Sequence, residues 1–275
     1  MEWLEYCKTF IPKIKEKYKK RLGKDLDLEN PKTLSEKIQW LKIYDSTFIK
    51  AYCADKITLH DYCKEKIVKD ICIPILAVYD KPEDINYDNL PNKFIIKCNH
   101  GSEMNLIITD KNKINKDSIN KQIEKWLSIK YGDYGYELHY NLIKPKVFIE
   151  EFKDNGINGL IDYKFWCFNG EPKFYSINGG HGHGYITYFN LDKTVSKIQR
   201  IQSENKKEAI LKQPKNFEKM FEYAKTLSKD FKLVRVDFYE IDNEVFLGEL
   251  TFTPGDGYFN FDNNGDLEFG KMLDL

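Results

Sequence analysis

Val234-Arg235-Val236-Asp237-Phe238 and, after a short turn, Gly248-Glu249-Leu250-Thr251-Phe252-Thr253-Pro254-Gly255 are the segments on which the reading of this chain turns. They lie in two strand-like runs, Lys232–Tyr239 and Glu244–Phe252, that meet at Asp242-Asn243, which predicts an antiparallel hairpin. Residues two apart on a strand share a face, so Arg235 pairs with Asp237 on one strand and Glu249 with Thr251 on the other. Where those faces coincide, an arginine stands beside two carboxylates and a hydroxyl. Charged groups in an apolar strand must be paired with one another or bind a metal. Hard oxygen donors of this kind suit Mg²⁺, which takes one or two carboxylates together with substrate phosphates. An Arg–Asp–Glu ion-pair network bracing the sheet fits the same residues, and both readings stay open at this point.

Working outward, Tyr163–Phe168 and Pro172–Ile177 flank Asn169-Gly170, a second hairpin signal. Lys146–Phe152 reads as a strand and Phe94–Lys97 as a short one; Asp117–Tyr131 and Phe217–Lys229 read as helices. The first 70 residues are mostly helical. Trp3, Leu4, Phe10, Ile14 and Tyr18 recur at helical spacing, a second helix starts at Thr33 with Glu36 completing a capping box, and a third spans about Asp55 to Ile67. The expected class is α+β: helices first, then mixed or antiparallel sheets.

Composition narrows the function. The 275 residues carry 43 basic and 43 acidic side chains, a balance unlike that of a general nucleic-acid binder. The longest apolar run, Ile71–Tyr79, is too short to span a bilayer, and the N-terminus lacks the hydrophobic core of a signal peptide. A cytoplasmic location is expected. Eight basic and three acidic residues between Met1 and Lys24 leave room for peripheral attachment to the inner face of a membrane, although a solvated helix face is the favoured role. The six cysteines match no zinc ribbon or finger spacing and read as reduced, buried thiols. No partner can be inferred for His60, His100 or His139.

Several further residues sit where chemistry needs them. Lys97 ends a strand next to His100-Gly101-Ser102, a place where freed backbone N–H groups and a lysine can cradle phosphate. Lys164 lies among the aromatics of Tyr163–Phe168, which demands a partner. Glu150 and Glu151 are adjacent, so they point to opposite faces. His181 and His183 stand in the run Gly179–Gly184 and face one way if extended; binding of a metal or a substrate acid is weighed there against simple solvation.

The order of these motifs resembles the ATP-grasp superfamily, most closely its polysaccharide-biosynthesis branch, the TupA-like ATP-grasp family. The resemblance starts near Trp40–Asp45 and Ala54-Asp55-Lys56. It runs through Leu90-Pro91, Phe94–Gly101, Ile149–Glu151, Asp162–Gly170 and Val234–Asp237 to Gly248–Gly255, covering roughly residues 35 to 270. In similar ligases such as D-alanine–D-alanine ligase the last strand reads Glu-x-Asn-x-x-Pro-Gly, and Glu249, Pro254 and Gly255 keep that spacing.

The resemblance implies an ATP-grasp fold with residues 71–275 as its domain: about 90–150 for nucleotide binding and about 151–275 for the metal site, after a helical region over 1–70. ATP and Mg²⁺ are the implied cofactors. Asp237, Glu249 and Thr251 become metal ligands. Arg235 and Lys97 become catalytic, with Lys97, His100, Gly101, Ser102 and Lys164 around the phosphates. Glu150, Glu151 and Phe152 form the adenine hinge, Asp162 holds the ribose, and Gly255 joins His181 and His183 near substrate. Thr251 stands where such ligases usually carry Asn, and the close branch carries threonine there too. The implied activity is a carboxylate–amine ligase making an amide on a sugar acid of capsule or cell-wall polysaccharide through an acyl phosphate. Its partners would be a free or nucleotide-linked uronic acid, an amine and polysaccharide-biosynthesis enzymes. A sugar kinase using the same nucleotide site and a non-catalytic carbohydrate-binding protein are the alternatives.

Overall fold

Both predicted hairpins form, and each turns through two residues in the left-handed region that two-residue loops require. These are Asn169 and Gly170 (φ 50° and 80°) and Asp242 and Asn243 (φ 52° and 63°). The computed structural model describes residues 2–153, 160–179, 186–201 and 212–275. Five helices lead: α1 (Trp3–Lys8), α2 (Ile11–Leu22), α3 (Leu34–Tyr44), α4 (Phe48–Ala54) and α5 (Leu59–Ile67). A first group of strands follows, β1 (Ile75–Tyr79), β2 (Phe94–Cys98) and β3 (Asn105–Ile108), then α6 (Lys116–Leu127), the single turn α7 (Gly132–Gly135) and β4 (Val147–Glu151). The chain ends with β5 (Asp162–Phe168), β6 (Glu171–Asn178), β7 (Ile186–Asn190), α8 (Phe217–Ser228), β8 (Leu233–Ile241), β9 (Glu244–Thr251) and α9 (Gly265–Gly270).

The strands make two antiparallel sheets, ordered β1-β4-β2-β3 and β7-β6-β5-β8-β9. The class is therefore α+β, as the sequence predicts. In the smaller sheet Phe94, Ile96, Val147 and Ile149 face α6 and its Ile119 and Ile123, so Lys97 and Glu150 face the other way. In the larger sheet Tyr163, Phe165, Val234, Val236 and Phe238 pack against Met220, Ala224 and Leu227 of α8. Each large apolar side chain removed from water there contributes about 1.5–3 kcal/mol. The opposite face carries Lys164, Trp166, Arg235 and Asp237. Its apolar end is covered by Leu34, Ile38 and Leu41 of α3 and by Phe269 of α9.

The leading helices share out their apolar faces. Ile14 and Tyr18 of α2 bury against Leu26, Ile43 and Leu138, α3 joins the larger sheet, and Ala51, Cys53, Leu59 and Tyr62 of α4 and α5 join the core beneath α8. Thr33 caps α3 as expected, its Oγ1 accepting the Glu36 N–H (3.2 Å) while Glu36 accepts the Thr33 N–H (2.9 Å). The helix expected over 55–67 forms only from Leu59, as α5, and a separate helix, α4, ends just before it at Ala54. Asp55 leaves the helical conformation (φ −66°, ψ 115°) and its carboxylate accepts the Ile57 N–H at 2.8 Å, an Asx turn that competes with helix. That break lifts Lys56 out of the helix row. All six cysteines are free and buried. Among the described residues no helix is long and apolar enough to cross a membrane.

Candidate active site

The register of the last hairpin makes the two polar faces coincide: Arg235 lies opposite Thr251, and Asp237 opposite Glu249. Arg235 grips Asp237 with two hydrogen bonds, Nε to Oδ1 (2.7 Å) and Nη2 to Oδ2 (2.6 Å). The same Nη2 reaches Glu249 Oε1 (3.3 Å) and Thr251 Oγ1 (3.2 Å), and the Thr251 hydroxyl donates to Glu249 Oε1 (2.9 Å). From the neighbouring strand, Lys164 lies opposite Asp237, donates to its Oδ2 at 2.6 Å and stands 3.4 Å from Asp162. The guanidinium carbon of Arg235 is 6.0 Å from the Trp166 ring, the floor of this face. Lys164 thus has the partners its aromatic surroundings demanded.

The electrostatics are those of a tight cluster. Burial works to raise the Glu249 carboxyl, but Lys56, Lys164 and Arg235 outweigh it and hold the group at about 2. Burial likewise opposes the charge on Lys164, yet Asp237 and Asp162 raise it above the ordinary lysine range. Asp237 is 1% exposed and has a cation on each oxygen, whereas the Glu249 side chain is 33% exposed.

Facing this cluster are groups from the smaller sheet and the loop after it. A cavity of about 140 Å³ is lined by Lys56, Lys97, Gly101, Ser102, Tyr239 and Glu249, among others. Lys97 is ion-paired with Glu150 on the adjacent strand. Lys56 donates to the Gly101 carbonyl at 2.6 Å, and its backbone N–H to Asn99 O at 3.4 Å. Asp55 holds Asn99 by accepting from its Nδ2 at 2.9 Å. Gly101 has no room for a side chain, since a Cβ there would lie 2.6 Å from the Tyr131 ring.

The hard oxygens of Glu249, which lines this cavity, and of Thr251, hydrogen-bonded to it, fit a divalent cation. Asp237 completes such a donor set once Lys164 or Arg235 yields one oxygen. The ion-pair reading and the metal reading therefore describe the same residues.

A family model described as TupA-like ATPgrasp matches residues 36–274. The chain belongs to the TupA-like ATP-grasp family. No curated relative matches it. Among solved structures, this ATP-grasp chain is similar to D-alanine–D-alanine ligase from Helicobacter pylori (19% identity, 87% of this chain and 69% of that one, TM-score 0.47). It is also similar to the Bacillus anthracis enzyme of that name complexed with ATP (17%, 74% and 55%, 0.43). A third is phosphoribosylamine–glycine ligase from Thermotoga maritima (12%, 80% and 55%, 0.44). The chain spans 55% of the length of the second and third of these structures.

The site of this ATP-grasp protein gathers Lys97, Gly101, Ser102, Glu150, Asp162, Lys164, Arg235, Asp237, Glu249 and Thr251 around one cleft between the sheets. His100 is turned elsewhere: it is 2% exposed, its Nε2 donates to the Trp126 carbonyl (3.2 Å), and burial lowers its pKa. Glu151 points away from Glu150 and pairs with Lys153 at 2.8 Å, and the Phe152 ring lies 5.7 Å from Lys93 Nζ. Gly255 sits in a left-handed turn (φ 56°) next to Asp256, which Lys42 and Lys17 hold from α3 and α2. His181 and His183 lie outside the described residues.

Glu103, Met104, Asn105 and Tyr239 line the cavity but escaped the sequence reading, and Lys56 was not recognised as a lining residue. Tyr239 is two positions beyond Asp237, and period-2 alternation extended by one step would have found it. Lys56 was quoted in the Ala54-Asp55-Lys56 motif but hidden by the helix expected there.

Proposed function

We propose that this protein is an ATP-dependent carboxylate–amine ligase whose acid is a sugar acid, a uronic acid of capsule or cell-wall polysaccharide or its precursor. The observation that carries the reading is the cavity itself. Lys56 and Lys97 on one side and the Arg235–Asp237–Glu249–Thr251 cluster on the other can hold a triphosphate between them. Family membership supports ATP as the nucleotide. Asp237, Glu249 and Thr251 would hold Mg²⁺, which when bound neutralises charge on the transferring phosphoryl group.

The chain's own residues do the rest. Lys56 and Lys97 orient the phosphates, and the short bond from Lys56 to the Gly101 carbonyl keeps the covering loop in place. Arg235, fixed by two bonds to Asp237, presents positive charge where the acid's oxygen becomes an oxyanion. In the first step a carboxylate oxygen attacks the γ-phosphorus, the bond from phosphorus to the bridging oxygen breaks, and ADP leaves. In the second the amine's lone pair attacks the acyl carbon, phosphate leaves with the bonding electrons, and the nitrogen loses a proton to solvent.

The test is an ADP-release screen crossing uronic acids, free and nucleotide-linked, with a panel of amines. Release that needs both an acid and an amine, and an amide product by mass spectrometry, is the expected result. A stable phosphoester formed without an amine would refute the ligase reading in favour of a sugar kinase.

A further inference from the structure

A second group of ligating side chains lies outside the cluster described above. His60 and Cys63 sit three apart on one face of α5, and Asp70 and Cys72 follow in the extended segment before β1. His60 Nδ1 is 2.8 Å from Asp70 Oδ2, while Asp70 Oδ1 accepts the Cys72 N–H at 3.0 Å. Ligand atoms of His60, Asp70 and Cys72 all lie within 4.8 Å of one another, the one place among the described residues where three such side chains converge. Behind them, Cys63 Sγ is 3.7 Å from Cys72 Sγ. A histidine–aspartate ion pair accounts for two of these residues. It does not account for the Cys72 thiol beside the pair, nor for Cys63 behind it.

We propose that His60, Asp70 and Cys72, with Cys63 as the closing donor, form a site for a thiophilic divalent cation of the Zn²⁺ class. The donor set is one imidazole, one carboxylate and two sulfurs, which suits Zn²⁺ and does not suit Mg²⁺, whose preferred ligands are all oxygen. Two thiolates on a tetrahedral Zn²⁺ at ~2.3 Å stand about 3.8 Å apart, and the sulfurs here are 3.7 Å apart. The imidazole nitrogen and the carboxylate oxygen need to open only from 2.8 Å to about 3.3 Å to meet the same ion.

Access is available. The side chains of His60 and Asp70 are 12% and 29% exposed, and Cys72 is 8% exposed. The competing cation is Lys64, whose Nζ lies 3.7 Å from Asp70 Oδ2; its side chain is 56% exposed and can withdraw into water.

Position gives the site a consequence. Cys72 bridges to Leu247 on β9, and the Leu247 N–H donates to Ile71 O at 2.8 Å, so the segment carrying Asp70 and Cys72 is stitched to the strand that carries Glu249. His60 and Cys72 also line a small cavity with Lys97, Glu150 and Tyr239. An ion here would fasten α5 to the edge of the larger sheet, beside the nucleotide cleft.

The test uses the full-length protein, reduced and metal-free, titrated with Co²⁺ alone and then Zn²⁺. One equivalent of Co²⁺ should give ligand-field absorption with a sulfur-to-cobalt charge-transfer band, and Zn²⁺ should bleach it while raising the melting temperature of the wild-type protein. Cys72→Ser should cut the charge-transfer band to about half, Cys63→Ser combined with Cys72→Ser should remove it, and His60→Ala should weaken Co²⁺ binding by about tenfold or more. Asp237→Asn and Glu249→Gln should leave the band intact, which separates this site from the nucleotide cleft. Absence of a sulfur-to-cobalt band in the wild type overturns the proposal. So does a band that survives the double variant Cys63→Ser with Cys72→Ser, or a wild-type melting temperature indifferent to Zn²⁺.

Discussion

Replacing Asp237 with Asn separates the two jobs that the hairpin cluster performs. Asp237 is 1% exposed and takes three short hydrogen bonds, two from Arg235 at 2.7 and 2.6 Å and one from Lys164 at 2.6 Å. Asn keeps the shape and removes the charge. Arg235 and Lys164, with side chains 15% and 12% exposed, would then rely on Glu249 at 3.3 Å and Asp162 at 3.4 Å. Breaking a buried pair costs ~3–5 kcal/mol, and these residual partners argue for the lower end, about 3 kcal/mol. At roughly 2–4 °C per kcal/mol for a chain of this size, Asp237→Asn should lower the melting temperature by about 6–12 °C. Glu249→Gln is different. Its side chain is 33% exposed at the cavity rim, and Gln still offers an oxygen to Thr251, so the loss should stay near about 1 kcal/mol. Both variants should lose on the order of 10²-fold or more of MgATP-dependent ADP release. Thermal melts and the ADP assay on the same preparations decide the matter. If Asp237→Asn melts no lower than Glu249→Gln, the argument that Asp237 neutralises two buried cations is refuted.

Other outcomes follow from single contacts. Lys56→Met removes a cation of the cavity and its 2.6 Å bond to Gly101 O, so the MgATP dissociation constant should rise about tenfold or more by calorimetry; unchanged affinity would remove Lys56 from the site. His139 is buried beside Lys50 and Lys42, and desolvation foremost holds its pKa down at about 3 against an ordinary 6.5. The folded state therefore keeps His139 neutral while the unfolded chain takes up a proton below 6.5. Stability is full above that pH and falls by up to about 1.4 kcal/mol per pH unit down to the folded value. Urea midpoints at pH 7 and pH 5 should show the slope, and His139→Gln should flatten it. Gly170→Ala places a Cβ 3.0 Å from Lys229 O at φ +80°, so it should cost about 1–2 kcal/mol; a thermal melt equal to wild type would mean that the turn is not held as described.

What was legible in the sequence follows the range of the interactions. Asn169-Gly170 and Asp242-Asn243 fix their turns locally, and period-2 alternation then dictates which side of each strand faces α8. The convergence of Arg235, Asp237, Glu249 and Thr251 was only half readable: the turn pairs Phe238 with Leu247, and a one-residue bulge at Gly248, which no alternation announces, then shifts the register so that Asp237 meets Glu249 and Arg235 meets Thr251. Lys56 was not readable. Helical spacing runs on through Asp55, and only the competition of the Asp55 carboxylate for the Ile57 N–H, reinforced by Asn99 from a distant loop, breaks the helix there. The partners of His60, Cys63 and Cys72 depend on how α5 packs against the segment before β1, which no local pattern encodes. His100 lay in the right loop, but its ring is claimed by the Trp126 carbonyl at the end of α6, a contact set by tertiary packing.

The charge balance of the cleft bears on what it can bind. Lys56, Lys97, Lys164 and Arg235 contribute four positive charges, and Glu103, Glu150, Asp162, Asp237 and Glu249 five negative ones, most of them already matched in pairs. Such a cleft offers no net attraction for a polyanion. A triphosphate carrying about four negative charges could settle there alone only by pulling lysines away from their carboxylates, leaving those carboxylates unpaired in a poorly hydrated place. In the proposed ligase, divalent cations held by Glu249 and Asp237 would remove that conflict by supplying positive charge, so that Lys164 and Lys97 could turn from protein to ligand without stranding a charge. On the proposed reading, the ion-pair network would be the resting form of a cation site. Thr251 fits that proposed site because its hydroxyl donates to Glu249 when no ion is bound and could offer a lone pair when one is.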